Sequence, residues 1–488
     1  MDSERTYRNH PTVIISNLAT TMIVIAVLIL INIGDMDTSE YGSYIVAGLA
    51  VLAICLAALY TRWWQKTTFV FMDTEMVVRF DLISKKVKRI PYNRLASVNV
   101  KRNLYNILFG TSTLMFNVNS SVNSTQAEAA LVLKQLDADA LREELSQKIF
   151  DKGITVDEDK KVETMMHVSN ADVILHGFLA QPTYSALFGL LMMLYSIYSL
   201  FLGNGDGFFV ALILFLITTL VPWIRIILKY YNYRIYRVDD TITVDSGLIT
   251  NYRTSFKVSK INSVRIREPL LARILGKATL EAEVVGTADQ FGMPILCPLK
   301  SKKDVENLIP RLIPEFVMNN DAVKQPSRAS GLMFSTSLII TAVFSLCVYA
   351  VHYLVSLSTD PEDIEIAGYI ADYGVVVVAA VLAILIIRIP LASRRRSVSC
   401  GDELFSFVIG GYDISTEIMR YDKVQIAEVS SGPMARYLGL STCNVSLISS
   451  LGATTVISGL FEPSVLERVP SEVIERITDG RYDYRRYL

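Results

Sequence analysis

The chain has 488 residues, with 47 basic against 48 acidic side chains and 51% apolar residues. That length suffices for three domains of ordinary size, and the balanced charge excludes a general pull toward nucleic acid or acidic partners. Only 19% of residues are charged, too few for a wholly soluble protein.

The first predicted elements are two apolar runs, Val13–Ile33 and Tyr44–Tyr60. Four more follow at Ser185–Leu202, Phe208–Leu228, Leu332–Leu357 and Ala367–Ile389. Most reach the roughly 20 residues that cross about 30 Å of hydrocarbon, with Tyr44–Tyr60 at the short end. The first run is too long for a cleaved signal peptide and no small-residue cleavage site follows it. The runs pair through the short links GDMDTSEYGS, GNGDG and STDPEDIEI, which hold acids but no Lys or Arg. Basic residues sit at the other ends: Arg5, Arg8, Arg62 and Lys66, then Arg225 and Lys229, then Arg328, Arg388 and Arg394, Arg395 and Arg396. Lys and Arg beside membrane segments stay cytoplasmic. The expectation is a plasma-membrane protein with six transmembrane helices, links outside, and both termini and all soluble segments inside.

Between the hairpins one phrase recurs: LASVNVKRNLYNILFGTSTL from Leu95, INSVRIREPLLARILGKATL from Ile261 and VQIAEVSSGPMARYLGLSTC from Val424. The spacing is 166 residues and then 163. In that ungapped alignment Asp73, Asp239 and Asp402 coincide, as do Gly110, Gly276 and Gly439, and Thr113, Thr279 and Thr442. Arg94, Lys260 and Lys423 coincide as well. Repetition of this kind predicts three tandem units, each a membrane hairpin followed by a soluble domain. The predicted boundaries are 1–64 for the N-terminal segment and hairpin 1, 65–150 for domain 1, 151–184 for a linker, 185–228 for hairpin 2, 229–318 for domain 2, 319–331 for a linker, 332–389 for hairpin 3 and 390–488 for domain 3.

Within each soluble unit the pattern is β. YRIYRVDDTITVDSGLITNYRTSFKV alternates apolar and polar residues around turns at Asp239-Asp240 and Ser246-Gly247. FVFMDTEMVVRFDLISKKVKRI does the same around Asp73 and Ser84. The shared Asp suits a turn, where its side chain bonds nearby backbone. The shared Gly suits a positive φ or a close backbone approach. Each unit closes on helix-like sequence, DADALREELSQKIF, SKKDVENLIPRLI and EPSVLERVPSEVIERI, with Pro310 and Pro470 expected to shorten or kink the last two. Strands followed by one helix predict an α+β unit. VSNADVILHGFLAQP at 168–182 places Val173, Ile174 and Phe178 on one side of a helix, which suits either an interfacial helix or an elbow into the bilayer.

A two-helix hairpin, strands, the Gly247-Leu248-Ile249 turn, the Lys260–Val264 K-I-x-S-V, the Arg273–Thr279 R-x-L-G-x-x-T and a terminal helix together resemble the bacterial PH-domain membrane proteins of the YdbS/YdbT type. The three-copy layout resembles the longer, YdbT-like member. The second unit fits best. The first has Asp81 at the turn Gly and Ile107 at the Arg, and the third has Ala427 in place of the Val. The resemblance implies a PH-like fold, a seven-stranded β sandwich or barrel capped by a C-terminal helix, and it implies no reaction.

The residues offer no rival chemistry. His10, His167, His176 and His352 form no ligand spacing, and His352 in an apolar run suits helix packing better than a proton relay. Gly203–Asp206 matches the G-x-G-D of intramembrane aspartyl proteases, but it lies in an outer link and cannot meet Tyr421-Asp422. The sequons at 119–121, 123–125 and 444–446 fall on the cytoplasmic side of the predicted topology. Five scattered cysteines predict neither a disulfide framework nor a metal site, and no cofactor is expected. The remaining signal is basic patterning: Lys85, Lys86, Lys88, Arg89, Arg94, Lys101 and Arg102 in the first unit, and Arg253, Lys257, Lys260, Arg265 and Arg267 in the second. Beside an anionic leaflet each such residue contributes about 1 kcal/mol, although a solvated strand face fits equally. The expected function is therefore a non-enzymatic membrane protein whose PH-like domains serve assembly and bind lipid or protein, in support of the envelope. The expected partners are the bilayer, anionic lipid, and either a second single-hairpin PH-domain membrane protein or further copies of the chain, with no nucleic acid. The alternative is a transporter or channel of three parallel hairpins, which wants polar residues at helix centres.

Overall fold

A computed structural model describes residues 5–32, 38–81, 85–92, 95–102, 104–118, 129–150, 165–166, 168–201, 203, 205–284, 295–318, 321–358, 361–449 and 452–481. The sequons at 119–125, together with Arg94 and His167, lie outside the described residues.

The chain opens with β1 (Arg5–Tyr7), α1 (Thr12–Asn32) and α2 (Thr38–Lys66). β2 (Thr67–Phe71), β3 (Glu75–Asp81) and β4 (Lys85–Pro91) follow. Then come β5 (Leu95–Arg102), the short α3 (Leu104–Leu108), β6 (Thr111–Val118), β7 (Ala129–Lys134) and α4 (Gln135–Phe150). The second stretch starts with α5 (Asn170–Leu179), α6 (Thr183–Phe201), α7 (Gly205–Phe215), a π-helical turn at Leu216–Leu220 and α8 (Val221–Tyr230). Its strands are β8 (Arg234–Val238), β9 (Thr241–Ser246) and β10 (Asn251–Lys257), then β11 (Ile261–Glu268), α9 (Leu270–Ile274), β12 (Lys277–Val284), β13 (Ile295–Ser301) and α10 (Lys302–Leu312). The third stretch has β14 (Val323–Lys324), α11 (Arg328–Ser356), α12 (Pro361–Ser393), β15 (Ser397–Cys400), β16 (Leu404–Gly410) and β17 (Ile414–Arg420). It ends with β18 (Val424–Ser430), α13 (Pro433–Tyr437), β19 (Thr442–Ser449), β20 (Gly452–Ile457), α14 (Pro463–Leu466) and α15 (Arg468–Thr478).

Among the described residues four helical stretches are long and apolar enough to cross a membrane: Thr183–Phe201, Gly207–Tyr230, Arg328–Ser356 and Ala367–Ser393. Ahead of them, α2 has 29 residues, about 43 Å at 1.5 Å per residue. The apolar run Tyr44–Tyr60 is thus the middle of a longer helix, whose Trp64 indole donates to the Asn9 carbonyl. The π turn precedes Pro222, whose ring would clash with the carbonyl four residues back in a regular helix.

The same order of elements, three strands, then strand–helix–strand–strand and a closing helix, occurs at 67–150, 234–312 and 397–478. In each, the first three strands form one sheet layer and the last three another, with apolar residues between them. Phe69, Met76, Leu114, Phe116 and Leu131 fill the first core. Phe256, Ile261, Leu280 and Leu296 fill the second, and Phe405, Phe407, Val445 and Phe461 the third. The register shifts as at a β-bulge at the start of the second layer, at Leu95/Ser97, Ile261/Ser263 and Val424/Ile426, the same place each time.

Several details differ from the sequence expectation. Among the described residues each stretch has six strands of its own, where the resemblance implies seven. In the first and third the extra strand comes from before the hairpin, where β1 pairs with β2 and β14 with β15. EPSVLERVPSEVIERI is split into α14 and α15, so Pro470 sits in a first turn, where its missing N–H is harmless. In α5, Val173 is buried in the second core while Ile174 and Phe178 stay exposed, so the three do not share one environment. Phe178 stacks edge-on against Trp223 of α8.

The largest difference is between the stretches. The sheets run β7-β6-β5-β10-β9-β8 and β13-β12-β11-β17-β16-β15-β14. β5 of the first stretch pairs with β10 of the second, and β11 of the second with β17 of the third. Leu404 and Ile418 of the third stretch complete the second core. The soluble parts are therefore joined by continuous backbone hydrogen bonding, not strung as separate beads.

Candidate functional site

The basic residues singled out in the sequence fall into two environments. The first is the pair of strand junctions. At β5–β10, Lys101 lies 5.5 Å over the Tyr252 ring, and Arg102 stands opposite Asn251. Arg253 makes two hydrogen bonds to Asp245, at 2.8 and 3.0 Å. Those bonds hold the Arg253 guanidinium well above its ordinary pKa. Arg142 of α4 reaches across the same junction to donate to the Ser255 hydroxyl at 3.0 Å.

At β11–β17 the charges form a buried ladder. Arg265 stands opposite Glu417 and hydrogen-bonds it. Glu417 also accepts from Ser415 at 2.7 Å. Glu281 on β12 lies 3.9 Å from Arg265 and 4.0 Å from Arg267. Burial pushes the Glu281 carboxyl up, against the pull of Arg267 and Arg265. Glu417 is only 1% exposed, so removing either partner strands a charge away from water. Lys260 sits beside the same junction; burial lowers its pKa first, and the nearby Lys423 and Lys257 lower it further. Lys257 itself stands opposite Thr241 on β9.

The second environment is β4, at the edge of the sheet β1-β2-β3-β4. Lys86 and Arg89 are exposed there, with Arg89 3.6 Å from Glu75. Lys88 is half-buried, and burial lowers its pKa. The Lys85 side chain and Arg94 lie outside the described residues.

The recurring positions are structural in different ways. Gly110, Gly276 and Gly439 have φ of +61°, +64° and +63°. An added Cβ at Gly110 or Gly276 would meet no atom within 4 Å, so conformation rather than space selects glycine there. Asp239 occupies the left-handed region at φ +51°, while Asp73 and Asp402 lie in bends between strands. The threonines diverge. Thr113 accepts from Asn106 at 2.8 Å, Thr442 lies 3.4 Å from the Ser430 hydroxyl, and Thr279 is buried.

The acidic and polar partners at the junctions were missed from sequence. Glu281 in TLEAEV and Glu417 in ISTEIMR are acids set into strand sequence, and no local pattern names the strand that supplies their partners. Asp413 was missed too. Its carboxylate accepts from the Thr183 amide at 3.0 Å and the Leu270 amide at 3.1 Å, capping α6 and α9 of the preceding stretch. His352 has its Nδ1 3.1 Å from the Ala367 carbonyl, a contact between α11 and α12. Among the described residues no three His, Cys, Asp or Glu side chains gather as metal ligands do. A cavity of about 250 Å³ lies between hairpin and strands, lined in part by Asn9, Asn17, Trp63, Asn106 and Thr113.

The sequence profile of the bacterial PH domain family matches residues 15–149 and 186–313, two copies that each take in most of a helical hairpin and the strands after it. The chain is also 22% identical over 385 residues to the UPF0699 transmembrane protein YdbT of Bacillus subtilis (strain 168), covering 70% of this chain and 76% of that protein. No solved structure matches the chain. On these matches and its apolar helices, the chain belongs to the bacterial PH domain family and is a multi-pass membrane protein of the YdbT type.

Proposed function

We propose that the chain is a non-catalytic scaffold of the plasma membrane. In this reading three tandem units, each a transmembrane hairpin and a PH-like domain, share one cytoplasmic body held by six helices. The body serves assembly in the envelope by binding lipid headgroups or protein. The observation that carries the reading is the pair of sheets that continue from one stretch into the next. Such sheets hold binding surfaces at fixed spacing, and a shared body suits a scaffold better than three independent hairpins moving for transport. The third unit is inferred from its identical element order. The basic residues of β4, chiefly Lys86 and Arg89, are the natural contacts for an anionic leaflet, since Arg253 and Arg265 at the junctions are paired with acids within the protein.

Two measurements on the full chain test this. Single cysteines replacing Ser39, Asn204 and Thr359 are expected to react with impermeant maleimide in whole cells, and one replacing Ser124 is not. Reaction of Ser124→Cys alone overturns the topology. In proteoliposomes the chain is expected to leave solute permeability unchanged. A specific solute flux overturns the scaffold in favour of a transporter.

A further inference from the structure

The two junctions between stretches are the same contact made twice. β4, β10 and β17 occupy equivalent places, separated by 166 and then 163 residues, and so do β5, β11 and β18. At the first junction Asn251 stands opposite Arg102. At the second, Ile414 stands opposite Glu268. Shifted by the repeat spacing these are the same pair of positions, so both junctions share one register. Among the described residues, no β5 equivalent pairs with β4 and no β10 equivalent pairs with β18. Each is the outermost strand of its sheet among the described residues.

We propose that β18 of one copy of this chain pairs antiparallel with β4 of a second copy, extending the internal series head to tail. The inference rests on the scaffold reading and names its partner. The shared register fixes which residues meet. Glu428 falls opposite Lys88, at the positions that hold Arg265 and Glu417 in the internal junction. The charge pair is kept with its sign reversed. Val429 falls opposite Val87, and Ile426 opposite Ile90. Ile426 and Val87 are 62% and 61% exposed, apolar side chains on open strand edges, which natural sheets ordinarily protect. Both edges therefore carry what their internal counterparts use: main-chain groups, apolar side chains and one complementary charge pair. A contact between two different surfaces does not use itself up, so copies add in series or close into a ring.

The test uses the full chain in native membranes, with two differently tagged copies co-expressed. One carries Glu428→Cys and the other Lys88→Cys, and each variant alone controls for the native cysteines. Mild oxidation is expected to give a disulfide-linked dimer bearing both tags. Glu428→Cys with Val87→Cys, which face opposite sides of the sheet, is expected to give much less. In detergent, Lys88→Glu and Glu428→Lys are each expected to lower the oligomer fraction several-fold, and mixing the two variants to restore it. Restoration by the mixture excludes misfolding as the cause of the loss. The proposal is overturned if the cross-link forms within one chain, joins the chain to a different protein, or favours the shifted register. It is overturned equally if neither charge reversal changes the oligomer fraction. A solute flux would instead defeat the scaffold reading whatever the cross-links show, so the two failures are distinguishable.

Discussion

Gly247 and Gly410 occupy equivalent turns at φ +119° and +111°. A Cβ on either would sit 1.9 Å from a carbonyl oxygen, that of Thr250 or Asp413. No side chain fits there, whereas Gly276 has space and only an unfavourable φ. Two magnitudes follow. Gly276→Val is expected to destabilise by more than about 1 kcal/mol through backbone strain. Gly247→Ala, smaller but clashing, is expected to exceed about 3 kcal/mol. Thermal unfolding of the full chain in detergent checks the order, and equal losses would remove the steric argument. His176 gives a pH dependence. It is buried against Tyr230, 5.7 Å between ring centroids. Burial, and then the charge of Arg267, lower its pKa from 6.5 to about 3. A base whose folded pKa is lowered stays neutral when folded and takes up a proton on unfolding. Its contribution is complete above pH 6.5 and is lost as pH falls from there toward 3. Melting temperature is expected to fall over that window, and His176→Phe to flatten the slope.

Among the elements, the second hairpin shows how a local irregularity serves packing. Gly189 of α6 lies against the π turn, so close that a Cβ would stand 1.8 Å from the Thr219 hydroxyl. Small residues let helices approach in a membrane, and the widened turn before Pro222 is what they approach. Gly189→Leu is expected to separate α6 from the turn and lower the melting temperature by several degrees. The same change at Gly331, where a Cβ meets nothing within 4 Å, is expected to have little effect. Helices and turns of this kind were legible in the sequence. Apolar runs marked the spans, and the recurring Gly marked turns of positive φ, as did Asp239, while Asp73 and Asp402 marked ordinary bends. The extent of α2 was less legible, because the helix continues through Thr61–Lys66 after its apolar stretch ends. The junction strands were not legible as junctions. β10 and β17 alternate like any half-exposed strand, and pairing across some 150 residues leaves no local period. Glu281 and Glu417 stand as acids within strand sequence, but nothing local says that another stretch supplies the partner of Glu417.

For the whole molecule, shared sheets change what counts as a folding unit. The second core is closed by Leu404 and Ile418 from the third stretch, and β11 is paired with β17 from Ser263–Met419 to Glu268–Ile414. Removing the third stretch would uncover both the apolar positions of β11 and the charge ladder of Arg265 and Arg267. A soluble domain excised at the sequence boundaries would therefore carry an open edge and an incomplete core. Binding measured on such a piece would report the damage as much as the surface, so contact with anionic lipid is better measured on the intact chain. The loop between α10 and β14 makes a direct test possible. Residues 1–320 and 321–488, expressed as two polypeptides, retain every hairpin and every pairing. If the junction joins the soluble parts into one body, the halves co-purify through a tag on either one. Each half expressed alone is expected to aggregate or be degraded. Glu417→Lys, which sets a second positive charge against Arg265 in a buried place, is expected to abolish co-purification. Halves that purify separately, each stable and monodisperse, would mean that the stretches are independent beads after all, and the scaffold would lose its fixed spacing.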